Sequence, residues 1–160
     1  MVNFLPFISA LFFLSCSQSV EKKAEIKEEP KKIETLSLQK LEEEYAVIDT
    51  IPYLEAYIER IIMVGSSGLG FASGEMQGGF ADVSDAQKIS HYVVTLAGKH
   101  CGDHEMAKKA EMYYTSNCGG CHGNDGKGLN GIFPDLTKST LLGIEKRKEF
   151  LKFKIEKLKK

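Results

Sequence analysis

The stretch SNCGGCHGNDGKG, residues 116–128, sets Cys118, Cys121 and His122 in the order C-x-x-C-H. It limits the fold tightly, because two thiols one helical turn apart and the imidazole beside the second must all serve one group. With four cysteines and four histidines among 160 residues, chance alone places this pattern in about 0.2% of such chains. The spacing suits thioether bonds from Cys118 and Cys121 to the two vinyl groups of a single haem, which delivers His122 to the iron as its proximal ligand. A zinc site would need further ligands at comparable spacing, and a redox-active C-x-x-C belongs beside a βαβ pattern that is missing here. One covalent haem c is therefore the expected cofactor.

The rest of the chain is patterned for helices. Leu38, Leu41, Tyr45 and Ile48 recur at helical spacing, and Leu54, Tyr57, Ile58, Ile61 and Ile62 follow with Pro52 in the first turn and Gly65 as a stop. From Gly65 to Ala81 the sequence is so rich in glycine that it predicts a loop, with Met76 near its middle. Ser84 and Gln87 form a capping-box pattern ahead of Ile89, Tyr92, Val93 and Leu96, and Gly98 closes that helix. Asp103 can cap a fourth helix carrying Ala107, Ala110, Tyr113 and Tyr114, which runs into the C-x-x-C-H. A last helix over about Ile144 to Leu158 places Ile144, Leu151, Ile155 and Leu158 on one face. No segment alternates as a strand should, so the expected class is all-α.

Ahead of these helices lie two segments of another kind. Residues 1–16 are apolar from Val2 to Leu14, too short to span a bilayer but suited to a secretory signal. Ser15 and Cys16 then resemble the end of a bacterial lipoprotein signal, in which Cys16 is lipidated; cleaved soluble export and an uncleaved anchor are the alternatives. All three place the domain outside the cytoplasm; the lipoprotein reading places it in the periplasm, with a lipid on Cys16 holding it to a bacterial membrane. Residues 17–35 are charged, poor in large apolar groups and interrupted by Pro30, which predicts a solvated tether. A net charge of -1 implies no nucleic-acid partner. From Lys138 onward nine Lys/Arg stand against three Glu, a local basic segment read as a solvated helix face.

The stretch AKKAEMYYTSNCGGCHGNDGKGLNGIFPDLT, Ala107 to Thr137, resembles the N-terminal half of a class I c-type cytochrome. The resemblance implies that the Pro134 carbonyl accepts the Nδ1 proton of His122. The preceding YLEAYIERIIMVGSSGLGFASGEMQGGFADVSDAQKISHYVVTLAG is similar to the C-terminal half of the same fold. By that match Met76 is the axial methionine, and Tyr92 meets Tyr113 or Tyr114 where two helices cross. The layout resembles the two-haem subunit of cbb3-type cytochrome oxidases, with only one haem motif retained. Residues 36–98 then form a degenerate cytochrome c-like half-domain and residues 99–160 the haem-attaching half, in tail-half, head-half order.

An internal repeat bears on that order. YLEAYIERI from Tyr53 and FLKFKIEKL from Phe150 share a pattern at an offset of 97 residues. Two amphipathic helices with similar demands would account for it as well as a duplication. Three arrangements for the sixth iron position follow: Met76 ligates within one chain, Met76 comes from a second copy by domain swapping, or no methionine reaches the iron. His100, Cys101 and His104 read as a hinge rather than a metal site, Met106 and Met112 as core packing, and His91 as a surface or satisfied core histidine. The resemblance implies an electron carrier rather than an enzyme. It would exchange single electrons in a respiratory chain with a redox partner such as a cytochrome bc1 complex or a terminal oxidase. An open-site haem sensor binding a small gas, or a truncated cytochrome remnant, is the alternative.

Overall fold

The structure, a computed structural model, describes residues 30–99 and 104–160. Its helical segments are α1 (Pro30–Val47), α2 (Ile51–Val64), α3 (Val83–Leu96), α4 (His104–Asn117), α5 (Gly119–His122), α6 (Gly128–Gly131) and α7 (Leu142–Leu158). Among the described residues the β pairing is limited to an isolated bridge between Gly65 and Gln77. The expected all-α, cytochrome c-like class stands. The segment α6 is a tight turn rather than regular helix, because Leu129 and Asn130 take φ values of 46° and 59°.

Helix α1 starts inside the stretch expected to be tether. Pro30 presets the first-turn φ, and the Lys and Glu residues that follow are good helix formers. Low hydrophobicity limits burial, not helicity, so a stretch this polar can still be helical. Helix α2 turns Leu54, Ile58 and Ile62 inward at steps of four and ends at Gly65, whose φ of 93° only glycine adopts readily. Helix α3 is capped by Asp82, not by the Ser84–Gln87 pair: the Asp82 carboxylate accepts from the Asp85 N–H at 2.9 Å. Asp82 is extended and stands at the true entry, which leaves Ser84 already inside the helix. Gly98, with φ 74°, closes α3 as the sequence suggests.

Helix α3 lies at the centre of the fold, packed on α2 along one side and on α4 along another. Ile89, Val93 and Val94 of α3 join Leu54, Ile58 and Ile62 of α2 and Tyr114 of α4 in one core. Each such fully buried side chain contributes about 1.5–3 kcal/mol of hydrophobic stabilisation. Where α3 and α4 meet, the rings of Tyr92 and Tyr114 lie 5.1 Å apart at 43°, which selects Tyr114 from the two expected partners. The sequence-first half thus folds directly onto the C-x-x-C-H half within one chain. Met106 and Met112 were expected to pack in the core. They are instead 48% and 66% exposed, because α4 turns Ala107, Ala110 and Tyr114 inward and leaves both methionines on its outer side.

Helix α7 has its own seat, against α1. Arg147 donates to both carboxylate oxygens of Glu44 at 2.8 and 2.6 Å, Tyr53 Oη donates to Glu44 at 2.6 Å, and Lys148 pairs with Asp49 at 2.6 Å. Ile144 and Leu151 are fully buried beneath these pairs. No helix among the described residues is long and apolar enough to cross a membrane.

Candidate haem site

Helix α4 and the single turn of α5 are nearly continuous, since the Cys118 N–H still bonds the Tyr114 carbonyl at 2.7 Å and the His122 N–H bonds the Cys118 carbonyl at 2.9 Å. This continuity sets Cys118, Cys121 and His122 on consecutive faces of one turn. Both cysteines are free thiols, Cys118 buried and Cys121 exposed. Burial, with a smaller contribution from the nearby Cys121 charge, pushes the Cys118 thiol up to about 11. It therefore stays protonated at neutral pH.

The His122 ring is held from behind. Its Nδ1 lies 3.1 Å from the Pro134 carbonyl oxygen, and a carbonyl can only accept, so Nδ1 carries the proton and Nε2 keeps its lone pair. Burial lowers the His122 pKa below the ordinary imidazole range, opposed by the Pro134 bond, which favours a neutral ring able to act as a ligand. Two backbone bonds place Pro134: Phe133 N–H to the Gly128 carbonyl at 2.9 Å and Leu136 N–H to the Gly126 carbonyl at 2.7 Å. A methyl group at Gly128 would overlap the Phe133 carbonyl oxygen, so the chain passes itself there at a distance only glycine permits. Tyr114 Oη closes the assembly by donating to the Gly123 carbonyl at 2.8 Å.

Opposite this wall stands the glycine-rich loop. Ser66 N–H donates to the Met76 carbonyl at 2.8 Å, and Met76 N–H donates to the Ser66 hydroxyl at 3.0 Å. A Cβ at Gly65 would come within 2.5 Å of the Met76 carbonyl oxygen, so the loop closes tightly against the end of α2.

Between the two walls lies a cavity of about 360 Å³ whose lining includes Cys118, Cys121, His122 and Pro134 on one side and Met76 on the other. Ile58, Ile61 and Ile62 of α2 and Ile89 and Val93 of α3 supply apolar sides, and Leu141, Leu142 and Gly143 at the start of α7 close another. Among the described residues no three His, Cys, Asp or Glu gather to hold a metal ion. A haem brings four of its iron's donors itself, and the cavity can be compared with what such a group needs. The residues fit one: two free thiols a turn apart, a neutral imidazole presenting Nε2, and a thioether across an apolar cavity.

Every described residue expected at the site is therefore found around this cavity. Cys16, His100, Cys101 and Asp103 lie outside the described residues, and His104 opens α4. His91 does not line the cavity; it is half-buried, and its Nδ1 meets Glu55 at 2.9 Å. Sequence reasoning missed Ser66, Tyr57 and the Leu141–Gly143 wall. The apolar pair Leu141–Leu142 ahead of a basic helix was a usable signal, whereas nothing distinguished Ser66 within GSSG.

An all-α chain that places a C-x-x-C-H turn opposite a methionine loop has the make-up of a cytochrome c-like domain. Among characterised proteins the chain is 39% identical over 79 residues to the cbb3-type cytochrome c oxidase subunit CcoP of Helicobacter pylori strain 52, covering 46% of this chain and 27% of that protein. It is 37% identical over 51 residues to the cbb3-type subunit FixP of Azorhizobium caulinodans, covering 32% of this chain and 17% of the relative. The chain thus spans about a quarter or less of the curated relatives it matches. No protein-family model matches it, and no solved structure does. Over the matched portion it is similar to these subunits of cbb3-type cytochrome c oxidases.

Proposed function

We propose that this chain is a monohaem c-type cytochrome that carries single electrons in a respiratory chain, outside the cytoplasm, with a lipid on Cys16 as its membrane tether. The observation that carries this reading is the cavity shared by Met76 and the Cys118–Cys121–His122 turn, with His122 Nδ1 already committed to Pro134. Haem c would supply a one-electron iron couple whose potential a methionine ligand raises. Cys118 and Cys121 would fasten the group and His122 would hold its iron through Nε2, while the Pro134 carbonyl orients the ring and increases its basicity. Met76 would supply the remaining protein ligand. The isoleucines of α2 and α3 keep water from the face they cover.

If His122 and Met76 both held the iron, a substrate would have no open metal position to reach, which favours an electron carrier over an enzyme. Residues 36–98 and 99–160 then act as the tail and head halves of a single haem domain in permuted order. The cbb3-type oxidase names of the relatives support a terminal oxidase as redox partner, and a cytochrome bc1 complex is the corresponding donor.

Optical spectra of the haem-loaded full chain, ferric and ferrous, test the proposal. The ferric charge-transfer band of a methionine-ligated haem is expected in the natural sequence and lost in Met76→Ala, with the natural ferrous form unchanged by carbon monoxide. A band absent from the start, together with ready carbon monoxide binding, would replace the carrier with an open-site haem protein.

A further inference from the structure

We infer that Ser66 is the positioning residue that keeps Met76 at the sixth site, by bracketing the methionine's backbone from both sides. The inference rests on the reading of Met76 as ligand, which the observations below extend to a residue that touches no ligand itself. The loop between Ser66 and Met76 is mostly exposed, and its middle is tied only locally, by Gly74 N–H to the Phe71 carbonyl at 2.9 Å. A methionine on such a loop would sample many positions, and each lost conformation opposes ligation.

Two bonds remove that freedom. One runs from the Ser66 N–H to the Met76 carbonyl at 2.8 Å, and the other from the Met76 N–H to Ser66 Oγ at 3.0 Å. Ser66 can serve because it follows directly on Gly65, the end of α2, whose buried Ile58 and Ile62 anchor that helix in the core. The Gly68 N–H bond to Glu75 Oε1 at 2.7 Å gathers the loop behind the bracket. Gly79 N–H, bonded to the Ile62 carbonyl at 3.0 Å, fixes the outgoing strand of the loop to the same helix end. Among these ties the Ser66 hydroxyl is the one a side-chain change removes at Met76 itself. Ser66 also lines the cavity, so the bracket stands at the ligand's own wall.

The test titrates imidazole into the ferric haem-loaded chain, where the added base competes with Met76 for the iron. Losing one hydrogen bond of ordinary strength predicts that Ser66→Ala binds imidazole about fivefold more tightly than the natural sequence. The charge-transfer band should weaken at the same time, and Ser66→Thr, which keeps the hydroxyl, should restore both. In a Met76→Ala background Ser66→Ala should change nothing, because its effect passes through Met76.

Unchanged imidazole binding in Ser66→Ala, with the band lost in Met76→Ala, would overturn the role of Ser66 alone. The same holds if Ser66→Ala acts equally in the Met76→Ala background. A band that Met76→Ala does not affect would overturn the ligand itself, and Ser66's role with it. Exchange of the Met76 amide proton in the natural protein needs no variant. It should be slower than exchange at Ser73, and equal rates would sink the inference even if Ser66→Ala does not fold.

Discussion

On its histidine side the cavity is lined by Tyr114, Cys118 and His122, which are buried, by Phe133, Pro134 and Leu136, which are half-buried, and by the exposed Cys121. They are cross-tied by Tyr114 Oη to Gly123, Phe133 to Gly128 and Leu136 to Gly126. On its methionine side the wall is a loop whose residues 67–75 are mostly exposed and whose ties gather at its two ends. The buried side cannot shift without breaking core contacts, whereas the exposed side can rearrange at little cost to the remainder of the fold. On the proposed reading, a haem would be held at the first wall and the adjustment of Met76 left to the second.

Glycine substitutions on the two sides test that difference most sharply. Gly128→Ala has the largest expected effect: it sets a methyl against the Phe133 carbonyl at a φ of 74°, in a turn closed by buried backbone. The expected loss is about 3 kcal/mol or more in urea unfolding, since backbone rather than a flexible side chain must move. Tyr114→Phe, on the same wall, removes one of the two bonds to the buried Gly123 carbonyl, which keeps the Gly126 N–H at 3.0 Å, at a cost of about 1 kcal/mol by thermal unfolding. Gly65→Ala, on the methionine wall, also meets backbone, the Met76 carbonyl at 2.5 Å, but there the exposed loop can yield. Its expected stability loss is about 1–2 kcal/mol, with a larger relative effect on the charge-transfer band than on unfolding. If Gly65→Ala destabilises as much as Gly128→Ala, the two walls are equally rigid and the contrast fails.

That contrast was only partly legible in the sequence. The C-x-x-C-H turn announces itself because its chemistry needs three residue types at fixed spacing, and the Pro134 carbonyl followed from the resemblance that those residues carry. Helix positions were legible through periodicity, as with Leu54, Ile58 and Ile62, which all prove buried. Ends were harder: both Asp82 and Ser84 can cap, and only the backbone conformation at Asp82 decides between them. Met106 and Met112 show the limit of composition, since helical phase relative to α3, not apolar character, determines which side of α4 is covered. The Ser66 bracket could not be read at all, because serines within glycine-rich loops usually face water and this hydroxyl is recruited by a partner ten residues away.

The smallest effect should come from the pairing that seats α7, which lines the cavity through Leu141–Gly143. The hydrogen bond from Arg147 is the main cause holding the Glu44 carboxyl below its ordinary value, partly opposed by burial. A carboxyl whose folded value lies below its unfolded value stabilises the fold above the unfolded value, about pH 4.3. That contribution disappears as pH falls through the lower folded value. The urea midpoint of the natural chain should accordingly fall more steeply than that of Glu44→Gln as the pH drops below about 4.3. The pair is partly exposed, so its worth near neutral pH is about 1 kcal/mol or less. Imidazole affinity at neutral pH should be the same in Glu44→Gln and the natural chain, because α7 meets the cavity through buried apolar residues and not through this charge pair. A change in that affinity would mean that the α7 seat reaches the methionine wall, and the adjustable side of the cavity would then extend beyond the loop between Ser66 and Met76.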